Sequence, residues 1–198
     1  MKRRSLKALS LVLALFTLAL LCACGAEKKP EADEPAAALP GTSESAPDTP
    51  GKKVYFAAPL FNAAEREYNL KIVSVLENYG YEVFLPQRDG FLAPELEGLT
   101  EEEKIDKIFR KDKEEVLNAD ILFMMLDGRA PDEGACVELG IAYTAGKRCY
   151  GFKSDARSVE LDMDLNPMIT GCFVKLFYDL NEEKLIDSLN EYLKDNQL

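Results

Sequence analysis

From residue 53 onward the chain alternates between two rhythms of apolar and polar positions. Short, dense apolar runs are separated by longer stretches in which apolar residues recur every three or four positions. The dense runs are KVYFAAP, YEVFLP, DILFMML, RCYGFK and CFVKLFY, and each predicts a strand. The periodic stretches between them predict helices. LFNAAEREYNLKIVSVLENYG closes at Gly80, and TEEEKIDKIFRKDKEEVLNA opens at Thr100 with Glu103 completing a capping box. PDEGACVELGIAYTAGK, residues 131–147, and a final NEEKLIDSLNEYLKDN complete the set. Strand–helix alternation with short links predicts an α/β domain. Its architecture is a doubly wound (flavodoxin-like), five-stranded parallel sheet with helices on both faces. DILFMML, continuous in apolar residues after its Asp, fits a strand buried on both faces of such a sheet. Right-handed crossovers then place any site at the carboxyl edge of the strands.

The residues ahead of this domain follow a different logic. Lys2, Arg3, Arg4 and Lys7 precede the run ALSLVLALFTLALL, which leads into CAC. A basic start, an apolar core and small residues at a cut site form the signal-peptide pattern. The tetrad Leu21, Cys22, Ala23, Cys24 resembles a bacterial lipobox with Cys24 as the lipidated residue, the alternative being a retained membrane-spanning helix. Residues 24–51, rich in Pro, Ala, Glu and Ser and lacking aromatics, cannot bury enough apolar surface to fold and read as a tether. The expected organisation is a signal over 1–23, a tether over 24–51 and one domain over 52–198, held by the lipid at the outer face of a bacterial membrane.

Charge and composition remove several kinds of chemistry. The chain carries a net charge of −11, and loss of the four cations of the signal would bring it to about −15. That balance disfavours nucleic acid polymers and anionic lipid surfaces as partners. There is no His, so Ser–His–Asp triads, Cys–His pairs and imidazole metal sites are excluded. Cys136, Cys149 and Cys172 show no CxxC spacing and lie in apolar segments, as buried thiols or a disulfide pair would. Carboxylates are the reactive groups left.

One carboxylate stands out. From Gly134 to Ala145 the predicted helix carries a single charge, Glu138, and its helical neighbours Gly134, Ala135, Ile141 and Ala142 are small or apolar. An unpaired carboxylate in such a setting costs several kcal/mol unless it is neutralised or hydrogen-bonded. Its helix begins at the carboxyl edge, just after DGRAPDEG. Tyr55 and Phe61 flank the end of the first strand there, and Gln87 follows the second. Solvent or a basic partner would account for Glu138; convergence of these groups on one crevice points instead to a site.

The pieces VYFAAPLF, FLPQRDG, ADILFMMLDGRAPDEGACVELGIAYTAGK and NPMI, in that order, resemble the nucleoside 2-deoxyribosyltransferases over Val54 to about Phe173. The long third piece is the specific one, because it fixes an Asp and a Glu six apart with small residues between. The resemblance implies that Glu138 is the nucleophile that attacks C1′ of a 2-deoxyribosyl group. It implies that Asp132 and Asp112 hold the nucleobase, with Asp132 the better candidate to protonate it on departure. Tyr55, Phe61 and Gln87 match residues that line the base pocket and help orient the nucleophile. Asn166 and Met168 match residues that enter a neighbouring subunit's pocket, so homo-oligomers with shared sites are expected. Asp127 and Arg129, in the LDGR variant, rank second. 2′-Deoxynucleosides and free nucleobases are the expected partners, with no metal or cofactor required. Export departs from the mainly intracellular salvage role of the family. It leaves open hydrolysis of deoxynucleosides or their 5′-monophosphates, and a non-catalytic nucleoside-binding lipoprotein.

Overall fold

A computed structural model describes residues 51–157, 165–196 and 198. The expected signal, Cys24 and all of the expected tether except Gly51 lie outside them. Among the described residues no helix is long and apolar enough to cross a membrane. The elements run β1 (Lys53–Ala57), α1 (Ala63–Asn78), β2 (Glu82–Phe84), α2 (Pro86–Asp89), α3 (Glu101–Asn118) and β3 (Ile121–Met125). They continue with α4 (Glu133–Thr144), β4 (Arg148–Lys153), α5 (Pro167–Thr170), β5 (Lys175–Tyr178) and α6 (Glu182–Asp195). All five strands are parallel, in the order β2-β1-β3-β4-β5. The expected doubly wound sheet is therefore present, with its reversal of direction between β1 and β3.

The period of two along the strands sorts their side chains into two cores. Val54, Phe56, Ile121, Phe123, Tyr150, Phe152 and Phe177 face α1 and α6, where Ile72, Leu76, Leu185 and Leu189 meet them. Tyr55, Ala57, Leu122, Met124 and Cys149 face the other way, against Val116 of α3 and Ala135, Leu139 and Ala142 of α4. Full burial of each large apolar side chain stabilises by about 1.5–3 kcal/mol, so both layers contribute. Asn62 caps α1, its side chain accepting from Glu65 N at 3.0 Å. Thr100 caps α3 as its sequence predicts, with Glu103 bonding back to Thr100 N at 2.8 Å. Gly80, at φ +87°, turns the chain out of α1 where a side chain would be strained.

Three boundaries differ from the pattern. The fifth strand begins at Lys175, not Cys172, because Cys172 and Phe173 bond back to Ile169 and Thr170 in the turn that closes α5. The link between β2 and α3, to which the pattern assigns no element, contains α2 and a 3-10 turn, Ala93–Glu95, each with a Pro in its first turn. The segment around Asn166, to which the pattern assigns no element, is a helical turn, α5. Asn166 caps it by accepting from Met168 N at 2.9 Å, and Pro167 supplies a preset φ. Ile169, on the same turn, packs against the second core.

Candidate active site

The site grows from the crevice at the switch point, where β1 hands the chain one way and β3 the other. β1 points Tyr55 into the core on the α3–α4 side, wholly buried. Phe84 of β2 stacks on its ring, centroids 5.5 Å apart at 19°, and the Lys111 ammonium lies 5.3 Å from the Phe84 centroid. The Tyr55 ring is thus clamped, and its hydroxyl has one place to go. It donates to Glu138 Oε1 at 2.7 Å. The carboxylate that had no partner on its own helix finds one on the first strand, 83 residues away.

Electrostatics follow from that placement. Burial pushes the Glu138 carboxyl up from its ordinary 4.5 to about 8, against the lowering effect of the Tyr55 hydrogen bond. The nearby carboxylates of Asp112 and Asp132 push it further up, so three acidic groups share one field. Burial also raises Asp112, to about 6, with Lys111 opposing and Glu115 adding to the rise. The Tyr55 hydroxyl is raised first by burial and then by the Glu138 charge, so it remains a donor across the working pH range. The group is able to hold one carboxyl as a base or nucleophile and another as an acid near neutrality.

Asp132 is the N-cap of α4. Its Oδ1 accepts from Ala135 N at 2.8 Å, at the positive end of the helix. One oxygen therefore secures the turn that delivers Glu138, and Oδ2 takes no bond among the described residues. Gln87 starts within α2 and is half-buried. Its Oε1 accepts from Asn69 Nδ2 at 2.9 Å, and its Nε2 donates to Arg66 O at 2.9 Å.

The remaining sequence candidates are more dispersed. Phe61 is 74% exposed and Met168 82% exposed, with Asn166 exposed beside Met168. Asp127 accepts from Ser154 N at 2.6 Å and from the Ser154 hydroxyl, tying the loop after β3 to the loop after β4. Asp155 ties them again, accepting from Gly128 N at 2.9 Å and from the buried Lys153 ammonium at 3.0 Å. Asp127 is thus engaged within the protein, and Arg129 next to it is exposed. Among the described residues no group of three or more Asp, Glu or Cys side chains is gathered to hold a metal ion. The sequence pattern did not single out Phe84, Asn69 or the Ser154–Asp155 tie. Asn69 alone left a readable sign, a carboxamide in the apolar stripe of α1 with Ile72, Val73 and Leu76.

A doubly wound domain with a tyrosine-held carboxyl and two further carboxyls at its switch point has the equipment to cleave or transfer a glycosyl group. Residues 54–189 match the model of the nucleoside 2-deoxyribosyltransferase family, and the chain belongs to that family. It is similar to a solved 2-deoxyribosyltransferase from Bacillus psychrosaccharolyticus, at 30% identity and a TM-score of 0.57, covering 71% of this chain and 91% of that one. It shares its fold with a conserved protein from Enterococcus faecalis V583, at 24% identity and a TM-score of 0.58, covering 73% and 98% of the two chains. No curated protein matches the chain in sequence.

Proposed function

We propose that the domain transfers 2-deoxyribose between nucleobases through a covalent glycosyl ester on Glu138. The observation that carries this reading is the Glu138 carboxyl, set in an apolar helix and aimed by the Tyr55 hydroxyl at 2.7 Å, with Asp112 and Asp132 in its field. A Glu138 oxygen bonds to C1′ as the bond from C1′ to the base nitrogen breaks, and the departing base takes a proton from Asp132. The transition state is oxocarbenium-like, and the absence of a 2′-hydroxyl leaves that cation less destabilised. A second base then attacks C1′, Glu138 leaves, and the proton returns to Asp132. Two displacements at one carbon give net retention.

Water entering in place of the second base gives hydrolysis from the same intermediate. Purified protein incubated with deoxyinosine, with and without adenine, separates the outcomes by chromatography. Deoxyadenosine formed only with adenine, ahead of free deoxyribose, supports transfer. Deoxyribose at the same rate in both makes the domain a hydrolase, and tight binding with no product makes it a carrier.

We also propose that Asn166 and Met168 complete a neighbouring copy's pocket and that Cys24 carries lipid. The exposure of both loop residues supports the first, and the Leu21–Cys24 tetrad with its Pro-rich following segment supports the second. Mass spectrometry of the native amino terminus is expected to find acyl chains on Cys24, and Cys24→Ala to release the protein from membranes. A Cys24→Ala protein that stays membrane-bound with Lys2 to Lys7 intact would mean that the apolar run is itself the anchor.

A further inference from the structure

Asn69 occupies a place on α1 that the helix pattern reserves for an apolar residue, and only 1% of it is exposed. A buried carboxamide is costly unless its polar atoms are bonded. Both of its N–H groups are engaged, one with the Pro59 carbonyl at 2.8 Å and the other with Gln87 Oε1 at 2.9 Å. Gln87 Nε2 donates in turn to the Arg66 carbonyl. Main-chain carbonyls only accept, so the direction of this chain is dictated at both ends. The Asn69 nitrogen must face Pro59, the Gln87 oxygen must face Asn69, and the Gln87 nitrogen must face Arg66. Pro59 follows the carboxyl end of β1 and Gln87 that of β2, so the network runs along the edge that holds the crevice.

We propose that Asn69 is a positioning residue that, together with the Arg66 carbonyl, fixes which way round the Gln87 carboxamide is presented to the nucleobase. The inference rests on the deoxynucleoside reading above. After its bonds to Asn69 and Arg66, half-buried Gln87 retains one N–H and one oxygen lone pair. A carboxamide reads an adjacent acceptor and donor on a base edge, and the order in which it offers its own pair decides which edge fits. A 6-aminopurine and a 6-oxopurine present the pair at N1 and C6 in opposite orders. A Gln87 free to flip would accept both; held by Asn69 on its oxygen and by the Arg66 carbonyl on its nitrogen, it favours one, and loss of the Asn69 bond removes one of the two restraints.

The test compares wild type, Asn69→Leu, Gln87→Ala and the double variant, with adenine and hypoxanthine as acceptors from a common deoxynucleoside donor. Leu suits the apolar stripe, and Asn69→Ala serves in the same comparison if Asn69→Leu is insoluble. Asn69→Leu is expected to raise KM for the preferred base about tenfold, the scale of one hydrogen bond lost in recognition. The adenine-to-hypoxanthine preference should move toward one while kcat changes little. In the Gln87→Ala background the Asn69 change should add nothing further. An Asn69 variant that lowers kcat with its base preference intact, or that acts equally with Gln87 absent, overturns the proposal. Wild type that turns over no deoxynucleoside overturns the functional reading itself, a result separable from either.

Discussion

Glu138→Gln is expected to abolish turnover, by about a hundredfold or more for loss of a covalent nucleophile, and at the same time to stabilise the domain at alkaline pH. Gln still accepts from the Tyr55 hydroxyl but cannot form a lasting ester with C1′. The stability effect follows from linkage. The Glu138 carboxyl ionises near 8 in the folded protein, against 4.5 ordinarily. Its folded pKa lies above its unfolded one, so the neutral carboxyl contributes fully below about pH 4.5, and that contribution is lost as pH rises through about 8. The loss is roughly 3–6 kcal/mol, which a Gln never incurs. Wild type and variant should melt alike near pH 4.5, and the variant should melt roughly 10 °C higher at pH 9. The same ionisation should make wild-type kcat/KM rise with pH along a limb near 8, since only the carboxylate attacks. An active Gln variant, or one with no alkaline gain in Tm, would contradict the placement of Glu138.

Two inactive variants are expected to restore each other. Glu138→Ala removes the proposed nucleophile, and a chain altered at both Asn166 and Met168 loses the turn that we propose reaches the neighbouring pocket. Met168 at 82% and Phe61 at 74% exposure are apolar groups that a lone chain leaves in water. Random two-fold pairing of the variants puts an intact Glu138 and an intact loop together in roughly a quarter of the pockets. Activity in the mixture should recover to about that fraction of wild type, while each variant alone stays near zero. Mixed oligomers that form and remain inactive would mean that each chain completes its own site.

The fold was legible because both cores are written as period-two strands and period-3.6 helices, and Glu138 was legible because it breaks that pattern. Tyr55, the partner of Glu138, came from its place at the crevice and from the family resemblance, since a bond between β1 and α4 leaves no periodic trace. α2 and α5 were hidden for a related reason. Each is one turn long, too short for a repeat, and is set by a Pro at its start together with local bonds. Asp127 shows a further limit. Its motif position suggests a ligand contact, whereas its carboxylate is committed to Ser154, a partner on the next loop that spacing does not reveal.

The covalent step is the central claim, and the mass of the quenched enzyme tests it most directly. Wild-type protein mixed with a deoxynucleoside, stopped in acid within a turnover and digested should carry one added 2-deoxyribosyl group on the peptide holding Glu138. The adduct should disappear when an acceptor base is chased in before the quench, and it should be absent from Glu138→Gln. A deoxyribosyl group on a different residue, or turnover with no adduct at any quench time, would contradict the account.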